Sequence, residues 1–345
     1  MTSTVLSESG QNRNEYLFAT QKCGVIDRSD MSRLRINGVD SLDLLDRLST
    51  NALLELVSGS SLHTVMTTNK GRVVCLLLVA LVGDQIVLIT GSGDGEKASE
   101  LIDFYTFSED VQVQDIGNET GQLSLVGPSC SFVLDQLGVG ELNPYECASV
   151  SVNGITITAI RSEFLGQPSY DLIIPAQFLK DVNDMLLTIG GVEICSISKE
   201  TLNLVRIERG IPESGFELTE EYNPLEVELK NYISFNKGCY VGQEVVARLN
   251  TYDKVKRRLV GLTWHEETIF EPGANLFYDG ANIGTLTSTT KPHQPGRFIG
   301  LGVVKKAYTE AGTELHIISE EQDISVKAVV EALPFGDGVS NRGNM

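Results

Sequence analysis

The segment NKGCYVGQEVVAR, residues 236–248, brings a cysteine, a lysine and two glycines close together in the chain. The strand-like NYISF precedes it, NKG predicts a turn, and QEVVARL begins an amphipathic helix. Cys239 is therefore predicted on a loop that leads into a helix N-terminus, beside Lys237. Both neighbours favour the thiolate over the thiol, so Cys239 is a candidate for reactivity or for metal ligation. A buried, inert thiol in a tight turn is the alternative, with Gly238 and Gly242 present for backbone reasons alone.

A second candidate lies in the segment SKETLNLVRIERGIP. Ser198 is predicted as the N-cap of a helix that Gly210 and Pro212 end. Glu208 then falls in the last turn, where a carboxylate faces the negative end of the helix dipole at a cost of roughly a few tenths of a kcal/mol. Local conflicts of this kind are typical of functional positions, and an ion pair with Arg206, Arg209 or a distant lysine is the alternative explanation.

Around these segments, the chain from Gly24 to Lys254 alternates short strands with amphipathic helices. SRLRINGVD alternates like a strand, SLDLLDRLS has leucines at helical spacing, and RVVCLLLVALVGDQIVLIT indicates two strands joined at Gly83. Helices are predicted at EKASELIDFY and within AQFLKDVNDMLLTIGG. This mixed order predicts an α+β fold rather than a strict strand-helix-strand repeat.

After Lys254 the helical pattern ends. RRLVGLTW, NLFYDGANIGTLTST, FIGLGVVKKAY, ELHIIS and ISVKAVVEA indicate roughly five or six strands, with Asp279 and Gly280 at a hairpin turn that favours positive φ. A small C-terminal β-barrel or sandwich is predicted.

The glycine-rich stretch GSGDGEK, residues 91–97, follows a predicted strand and precedes a predicted helix. That position suits a phosphate-binding loop, but the stretch lacks both the GxxxxGK[ST] and the full GxGxxG spacing. A plain turn with Ser92 or Asp94 as the helix cap is the preferred interpretation.

Length and composition place the chain among globular proteins. With 345 residues, 41% apolar and 21% charged, it is large enough for more than one domain. It lacks a run of about 18 apolar residues that could span a bilayer. The start, MTSTVLSESGQNRNEY, has no basic segment followed by an apolar core, so a cytoplasmic location is expected.

Charge and metal-ligand content exclude two classes of primary function. The net charge of −19 opposes binding of a polyanion, so direct nucleic-acid binding is not expected, and KVKRR at residues 254–258 is interpreted as a solvated strand edge. The six cysteines contain no CxxC pair and the four histidines no HxxxH pair, so a metal site made of the protein's own ligands is not expected. In a cytoplasmic protein the thiols would be reduced.

The run K-G-C-Y-V-G-Q-E resembles the signature of the YgfZ-type folate-binding proteins, whose eukaryotic relatives act in mitochondrial iron–sulfur cluster assembly. From about residue 20 to 330 the chain resembles the parent superfamily, that of the glycine cleavage T-protein, an aminomethyltransferase. The matching segments are GVIDRSDMSRLRINGVDSLDLLDRLSTN, LNLVRIERGIP, EYNPLE, IGTLTSTT and GRFIGLGVVKKAY.

This resemblance implies the fold: a three-module ring of the T-protein type, with two mixed α/β modules around a folate hole plus a C-terminal antiparallel β-barrel. The expected organisation is a disordered N-terminus at 1–20, two intertwined α+β modules at 21–253, the barrel at 254–333 and a flexible tail at 334–345. Folate would occupy the hole between the modules.

The resemblance also implies a ligand, tetrahydrofolate or a one-carbon derivative, and contacts to it. Glu208, as the glutamate of an R-x-E-x-G segment, would grip the paired donors of the pterin by a charge-assisted contact. His63, Arg206 and Arg248 are the other expected folate contacts. The signature residues to which roles are assigned are Lys237, Gly238, Cys239, Tyr240, Gly242, Gln243 and Glu244.

The chain departs from T-protein where T-protein carries its chemistry. In TNKGRVVCL, Cys75 and Leu76 stand where an Asp-Asp pair would be, so the general acid/base for aminomethyl transfer is missing. A family tyrosine near the folate falls on His63, and SEFLGQPSYD, ending at Asp171, replaces the family's GYTGE segment.

The expected function is therefore tetrahydrofolate binding without glycine-cleavage activity, in support of iron–sulfur cluster assembly or maintenance and, indirectly, of cluster-dependent tRNA modification. The expected partners are iron–sulfur assembly or client proteins. Because one cysteine cannot hold a cluster alone, Cys239 would act by shared ligation, by thiol exchange or as a structural element. The alternatives are a tetrahydrofolate-dependent aminomethyl or methyl transferase that uses Cys239, and a binding module that has lost folate.

Overall fold

The structure is a computed structural model that describes residues 14–163, 165–290, 296–319 and 324–335. Its strands are β1 (Cys23–Asp27), β2 (Ser32–Asn37), β3 (Ser60–Thr67), β4 (Val73–Val82), β5 (Gln85–Thr90), β6 (Gln112–Asp115), β7 (Thr120–Val126), β8 (Cys147–Val152), β9 (Ile155–Ser162), β10 (Ser169–Pro175), β11 (Ile194–Ser196), β12 (Arg257–Trp264), β13 (Asn275–Tyr278), β14 (Ala281–Thr290), β15 (Phe298–Lys305), β16 (Glu314–Ser319) and β17 (Ile324–Glu331). Its α-helices are α1 (14–21), α2 (Ser41–Leu48), α3 (Asp94–Tyr105), α4 (Cys130–Gln136), α5 (Leu179–Leu187), α6 (Lys199–Arg209) and α7 (Gln243–Thr251). No helix in these ranges combines the length and the apolar character needed to cross a bilayer.

The first sheet has the strand order β3-β4-β5-β2-β6, with antiparallel pairing. Its β4 is apolar on both faces because both are covered. One face packs on α2 and α3 through side chains such as Cys75 and Leu77. The other face turns Leu78 and Ala80 toward the second sheet. Since side chains alternate along a strand, Leu76 belongs to this second face.

The second sheet has the order β11-β1-β7-β10-β9-β8, antiparallel except for the parallel pair of β1 and β11. Helices α4 and α5 cover its outer face. Its inner face meets the first sheet through Cys147, Ile160 and Ile173. The two sheets therefore face each other with helices outside, and the space between them forms the centre of the molecule.

The C-terminal strands form a closed antiparallel barrel in the order β12-β15-β14-β13-β16-β17. Trp264 and Phe270 lie in its core. The hairpin between β13 and β14 turns at Asp279 and Gly280, whose φ angles are 46° and 76°, as the sequence predicts. Closure of the barrel leaves these strands without an open edge.

Helix α6 connects the sheets to the barrel. Ser198 caps its N-terminus by accepting a hydrogen bond of 3.3 Å from the Thr201 amide, and Gly210 ends it at a φ of 72°. Both features confirm the predicted helix limits. The helix packs on β14 and β15 of the barrel, so its opposite side is available to the space between the sheets.

Some terminal and local predictions are wrong. Residues 14–20, expected to be disordered, lie in α1, where Tyr16 and Phe18 join the core that also contains Val205 of α6. The strand predicted at NYISF is a short 3-10 turn at Lys230–Tyr232. At the predicted flexible tail, Phe335 is buried against the same core. Residues 1–13 and 336–345 lie outside the described residues.

Candidate functional site

A central cavity of about 440 Å³ lies between the two facing sheets, and α6 and the loop 212–218 close one side of it. This volume is in the range of pockets that bind small molecules and cofactors. Both sheets, α6 and the loop supply apolar lining residues, which include Ile26, Leu76, Leu78, Ile89, Leu202 and Phe216.

The alternation of β4 decides which residue of the VVCLLL run reaches the cavity. Leu76 is in the lining. Cys75 points the other way, into the core under α2 and α3, where burial raises the pKa of its thiol to about 12. The cavity wall is therefore apolar at Leu76, one of the two positions where the T-protein resemblance implies a carboxylate. Cys75 cannot supply an acid or base to the cavity, because its thiol is on the other face of β4 and stays protonated.

A carboxylate at a different place faces the cavity. Asp171 on β10 is buried, and its Oδ1 accepts hydrogen bonds from Gln122 Nε2 at 2.9 Å and Ser124 Oγ at 2.5 Å. Asp171 pairs with Ser124 across β10 and β7, so the sheet register sets this contact. Within the described residues no hydrogen bond reaches Asp171 Oδ2, and Gln122 Oε1 is buried without a partner. Asp171 Oδ2 and Gln122 Oε1 are thus two acceptor atoms without a hydrogen-bond partner among the described residues, and they belong to neighbouring side chains in the cavity wall.

His63 on β3 lines the same cavity. Its ring lies 4.8 Å from that of Tyr232 and 6.0 Å from that of Tyr145, measured between centroids. Burial lowers the pKa of His63 to about 4, although Asp171 acts in the opposite direction. The imidazole is therefore neutral near pH 7, and its Nδ1 has no hydrogen-bond partner among the described residues. His63 is thus part of the cavity lining, and its expected contact with folate stays a prediction.

Arg206 on α6 also lines the cavity, and most of its charge is used by protein groups. Its Nε lies 2.7 Å from Glu213 Oε2, and its Nη1 lies 3.5 Å from Glu217 Oε2. Its Nη2 donates to Ser288 Oγ on β14 at 2.9 Å. Glu217 in turn accepts hydrogen bonds from the Ser288 and Thr287 hydroxyls. Arg206 therefore joins the cavity wall to the barrel. Its guanidinium group has a structural role in this buried network, and any contact with a ligand would be additional to that role.

Asp94 is a cavity residue that sequence reasoning assigned differently. The sequence offers Ser92 or Asp94 as the cap of α3, but the N-cap position is Gly93 in the left-handed conformation, and no side chain caps the helix there. The Asp94 carboxylate is buried, accepts a hydrogen bond from Ser214 Oγ and pairs with Lys97 Nζ at 2.7 Å. It faces the cavity from the first residue of α3. Only the fold brings Ser214 to this position.

Two predicted folate contacts lie outside the cavity lining. Glu208 accepts a hydrogen bond of 2.8 Å from the Tyr16 hydroxyl, and burial raises the pKa of its carboxyl. Because successive residues of a helix are about 100° apart, Glu208 and Arg206 point to nearly opposite sides of α6. Glu208 therefore does not line this cavity, and its expected contact with folate stays a prediction. Arg248 is exposed on α7, and a folate contact there stays a prediction.

The lysine of the KGCYVGQE segment has a structural position. The Lys237 side chain is only 3% exposed, and its Nζ donates to the carbonyl oxygens of Asp46 at 2.5 Å, Ser49 at 3.0 Å and Asn51 at 2.7 Å. It also pairs with Asp46 Oδ1 at 3.1 Å. These groups lie at the C-terminal end of α2, where carbonyl groups need donors. The ammonium group thus fastens the loop to the first sheet's helices and is not available to the thiol as the sequence suggested.

Residues 238–243 of the segment form a loop on which Cys239 is exposed. Gly242 has a φ of 83°, and a Cβ there would lie 2.5 Å from the Thr68 carbonyl oxygen, so glycine is required. Gly238 has open space around it. Gln243 Nε2 donates to the Gly238 carbonyl at 3.2 Å and closes the loop. Cys239 is a free thiol outside the lining of the central cavity.

The other two residues of the segment with assigned roles, Tyr240 and Glu244, differ in burial. Tyr240 is buried, and burial raises the pKa of its hydroxyl to about 12; the Lys237 ammonium lies 5.6 Å from its ring centroid. Glu244 is exposed in the first turn of α7. The motif therefore builds a fixed loop around one accessible thiol.

Two family models match the chain. Residues 8–237 match the GCVT N-terminal domain, and residues 257–337 match the glycine cleavage T-protein C-terminal barrel domain. Between the two matches lie residues 238–256, which include Cys239 and helix α7, and both ends of the chain also fall outside them.

Individual relatives agree with this division. The chain is 31% identical over 333 residues to the Arabidopsis thaliana protein named "Putative transferase At1g60990, chloroplastic", covering 95% of this chain and 75% of that protein. It is 27% identical to an aminomethyltransferase of Geobacillus sp. (strain WCH70), covering 94% and 90% of the two chains. It is 28% identical to the mitochondrial dimethylglycine dehydrogenase of Mus musculus, of which it covers only 36%. The crystal structure of glycine cleavage system aminomethyltransferase T from Bartonella henselae superimposes with a TM-score of 0.82 at 21% identity over 94% and 89% of the two chains, which shows the shared fold.

Proposed function

Because the chain belongs to the glycine cleavage T-protein family, we propose that it binds a tetrahydrofolate-type ligand in the central cavity, with the pterin against Asp171. The observation that carries this proposal is the pair of open acceptors, Asp171 Oδ2 and Gln122 Oε1, in a buried apolar wall. A pterin offers a ring N–H and an amino group side by side, and a carboxylate is their matched acceptor. This assignment replaces Glu208, which bonds to Tyr16 on the other side of α6.

We further propose that the protein lacks the aminomethyl transfer of T-protein. Leu76 lines the cavity where the family places its catalytic carboxylate. A leucine can neither take up nor release a proton, so that step has no acid or base at this position. The neutral His63 and the ion-paired Arg206 would instead contribute packing and hydrogen bonds to a bound ligand.

For the cellular role, we propose the function of the YgfZ-type proteins, support of iron–sulfur cluster assembly or maintenance, with an indirect effect on cluster-dependent tRNA modification. The support is the KGCYVGQE loop, which holds Cys239 exposed and away from the folate cavity. A single thiolate supplies one of the ligands that a cluster needs, so a partner protein would supply the others. The cytoplasmic location expected from the sequence stays a prediction.

A second candidate function is a folate-dependent aminomethyl or methyl transferase. One observation favours it: Asp94 places a buried carboxylate in the cavity lining, which a ligand's amine could meet. The relatives named as aminomethyltransferases give this candidate its reaction class. In this version Asp94, rather than Cys239, would handle the proton, because Cys239 lies outside the lining.

Anaerobic titration calorimetry with tetrahydrofolate tests the binding proposal. We expect Asp171→Asn to weaken binding at least ~10-fold, equivalent to ~1.4 kcal/mol. Glu208→Gln makes the same chemical change outside the cavity and is the matched control, with binding expected within about twofold of the wild type. The Asp171 assignment is wrong if Glu208→Gln is the variant that loses affinity. If the wild type binds no tetrahydrofolate, folate is removed from the function altogether.

The two candidate activities are separated by turnover and by complementation. Incubation with tetrahydrofolate and a methylated amine should give no one-carbon folate product; product that Asp94→Asn abolishes would establish the transferase instead. In cells that lack the protein, the wild type should restore the activity of cluster-containing enzymes and Cys239→Ser should not. Restoration by Cys239→Ser would remove the thiol from the proposed role.

A further inference from the structure

A second groove of about 370 Å³ lies along α3 and shares no lining residue with the central cavity. We refer to it as the α3 groove. Its apolar residues come from β4, α3 and the cysteine loop, and its polar rim comes from the β3–β4 turn, α3 and the loop after residue 218. The apolar members are Val74, Leu101, Phe104, Tyr105 and Val241.

The α3 groove has a large aromatic side chain exposed to solvent. Phe104 is 70% exposed, although α3 buries Ala98 and Ile102 on its inner side. The rings of Phe104 and Tyr105 are nearly perpendicular, with centroids 5.0 Å apart, and the exposure of Phe104 leaves its ring accessible to a side chain of another molecule. Exposed aromatic side chains beside a groove are typical of surfaces that bind another protein.

The rim of the groove is acidic. Glu100 and Glu220 are exposed, and neither forms an ion pair within the described residues. The rim's lysine, Lys97, is already paired with Asp94 at 2.7 Å, so its charge is largely compensated. The whole chain carries a net charge of −19. The groove therefore favours a cationic partner, and its open aromatic ring can also accept an arginine or lysine by cation–π contact.

The α3 groove is joined to the cysteine loop. Val241 contributes its side chain to the groove, and its carbonyl accepts a hydrogen bond of 2.6 Å from Thr67 Oγ1. Its amide donates to the Arg47 carbonyl at 3.1 Å. Cys239 is two residues earlier, which is at most about 7 Å along the backbone. A segment seated in the groove would therefore lie next to the exposed thiol.

We propose that the α3 groove docks a basic segment of a partner protein, one with a large apolar side chain flanked by lysine or arginine. The apolar side chain packs on Phe104 and Val241, and the flanking cations meet Glu100 and Glu220. This inference rests on the proposed cluster role: it names the chemistry of the partner whose ligands would meet Cys239, and it places the partner's contact outside the folate cavity.

The test uses the full chain and a labelled synthetic peptide that carries Leu-Phe between lysines and arginines, followed by fluorescence anisotropy. The comparison peptides replace the basic residues by glutamate, or Leu-Phe by serines. We expect the basic peptide to bind at least ~10-fold more tightly than either comparison peptide, and more weakly as salt is raised. Equal binding of the acidic peptide, or no binding of the basic one, would overturn the proposal.

Two phenylalanines give a matched pair of variants. Phe104→Ala should weaken binding of the basic peptide at least ~10-fold, whereas Phe107→Ala, which removes a ring that is 85% exposed and outside the groove, should leave it within about twofold. Equal losses in both variants would show a non-specific contact. Sedimentation of the chain alone provides a further check, because a dimer that Phe104→Ala dissociates would make a second copy the occupant.

Tetrahydrofolate titration on the same variants separates the two proposals. Phe104→Ala should bind tetrahydrofolate as the wild type does, since Phe104 lies outside the central cavity. Normal folate binding without any preference for the basic peptide would refute the docking site alone. A basic-peptide preference without folate binding would refute the folate proposal alone.

Discussion

Replacement of Lys237 by methionine tests whether the lysine of the KGCYVGQE motif is structural. The ammonium group donates to the carbonyls of Asp46, Ser49 and Asn51 and pairs with the Asp46 carboxylate, which is itself only 8% exposed. Burial lowers the Lys237 pKa, and the Asp46 carboxylate acts against this effect. Methionine keeps the apolar stem and removes every one of these donors.

The expected cost follows from what the substitution leaves behind. Removing one partner of a buried ion pair costs about 3–5 kcal/mol, because the remaining charge and carbonyls have no compensating group. Domains of ordinary stability have about 5–15 kcal/mol, so Lys237→Met should fold and unfold at a clearly lower urea concentration. Lys237→Arg retains the charge but not the compact head group. Its unfolding midpoint in urea should therefore lie between those of the wild type and Lys237→Met.

Urea unfolding followed by circular dichroism measures the change, with Lys180→Met as the control. Lys180 pairs with Asp184 on α5, but its side chain is 84% exposed, so its loss should leave the unfolding midpoint unchanged. The structural interpretation is refuted if Lys237→Met loses less than about 1 kcal/mol of stability while alkylation of Cys239 slows. That combination would return the lysine to the role of activating the thiol.

Other substitutions probe the loop, the cavity and the barrel junction. Gly242→Ala should lower the free energy of unfolding by at least ~2 kcal/mol, because glycine has a φ of 83° there, whereas Gly238→Ala should be neutral in the same urea titration; equal effects would contradict the loop geometry. The His63 pKa of about 4 is below its ordinary value, so the unfolded chain takes up that proton first and stability should fall as pH drops from about 6.5 toward 4. From about pH 7 to pH 5 this amounts to about 2 kcal/mol, which His63→Phe should abolish in paired urea titrations; an unchanged pH slope would argue against a buried neutral imidazole. Glu217→Ala removes the buried acceptor of the Ser288 hydroxyl and should cost about 3 kcal/mol in thermal or urea unfolding, and a loss under about 1 kcal/mol would show that this network does not hold the barrel to α6.

The sequence by itself determined most local structure and the family. Alternation and turn residues located β2, β4, β5 and the barrel strands, and the Ser198 cap and Gly210 stop fixed α6, because these signals act within a few residues of one another. The T-protein resemblance rested on contiguous segments and is confirmed by both family matches. The exposure of Cys239, too, agrees with a loop between a turn and a helix start.

The tertiary structure decided which side chains meet. The helix-end position and the T-protein resemblance both point to Glu208 as a folate contact. In the folded chain α6 packs on the barrel, with Arg206 in the cavity lining and Glu208 bonded to Tyr16. Asp171 gave no signal in the sequence beyond its place in a replaced family segment. Its hydrogen bonds depend on the pairing of β10 with β7, which brings Gln122 to it from 49 residues away.

The same reason explains Lys237 and Asp94. A lysine beside a cysteine suggests activation when only neighbours in sequence are visible, yet the carbonyl groups that bind Lys237 are 186 to 191 residues away. The turn before α3 makes Asp94 or Ser92 a candidate cap, but the Asp94 carboxylate bonds to Ser214, which is 120 residues along the chain. Local patterns fix the backbone of these segments, whereas the partners of a buried charge are selected by packing, which only the folded chain defines.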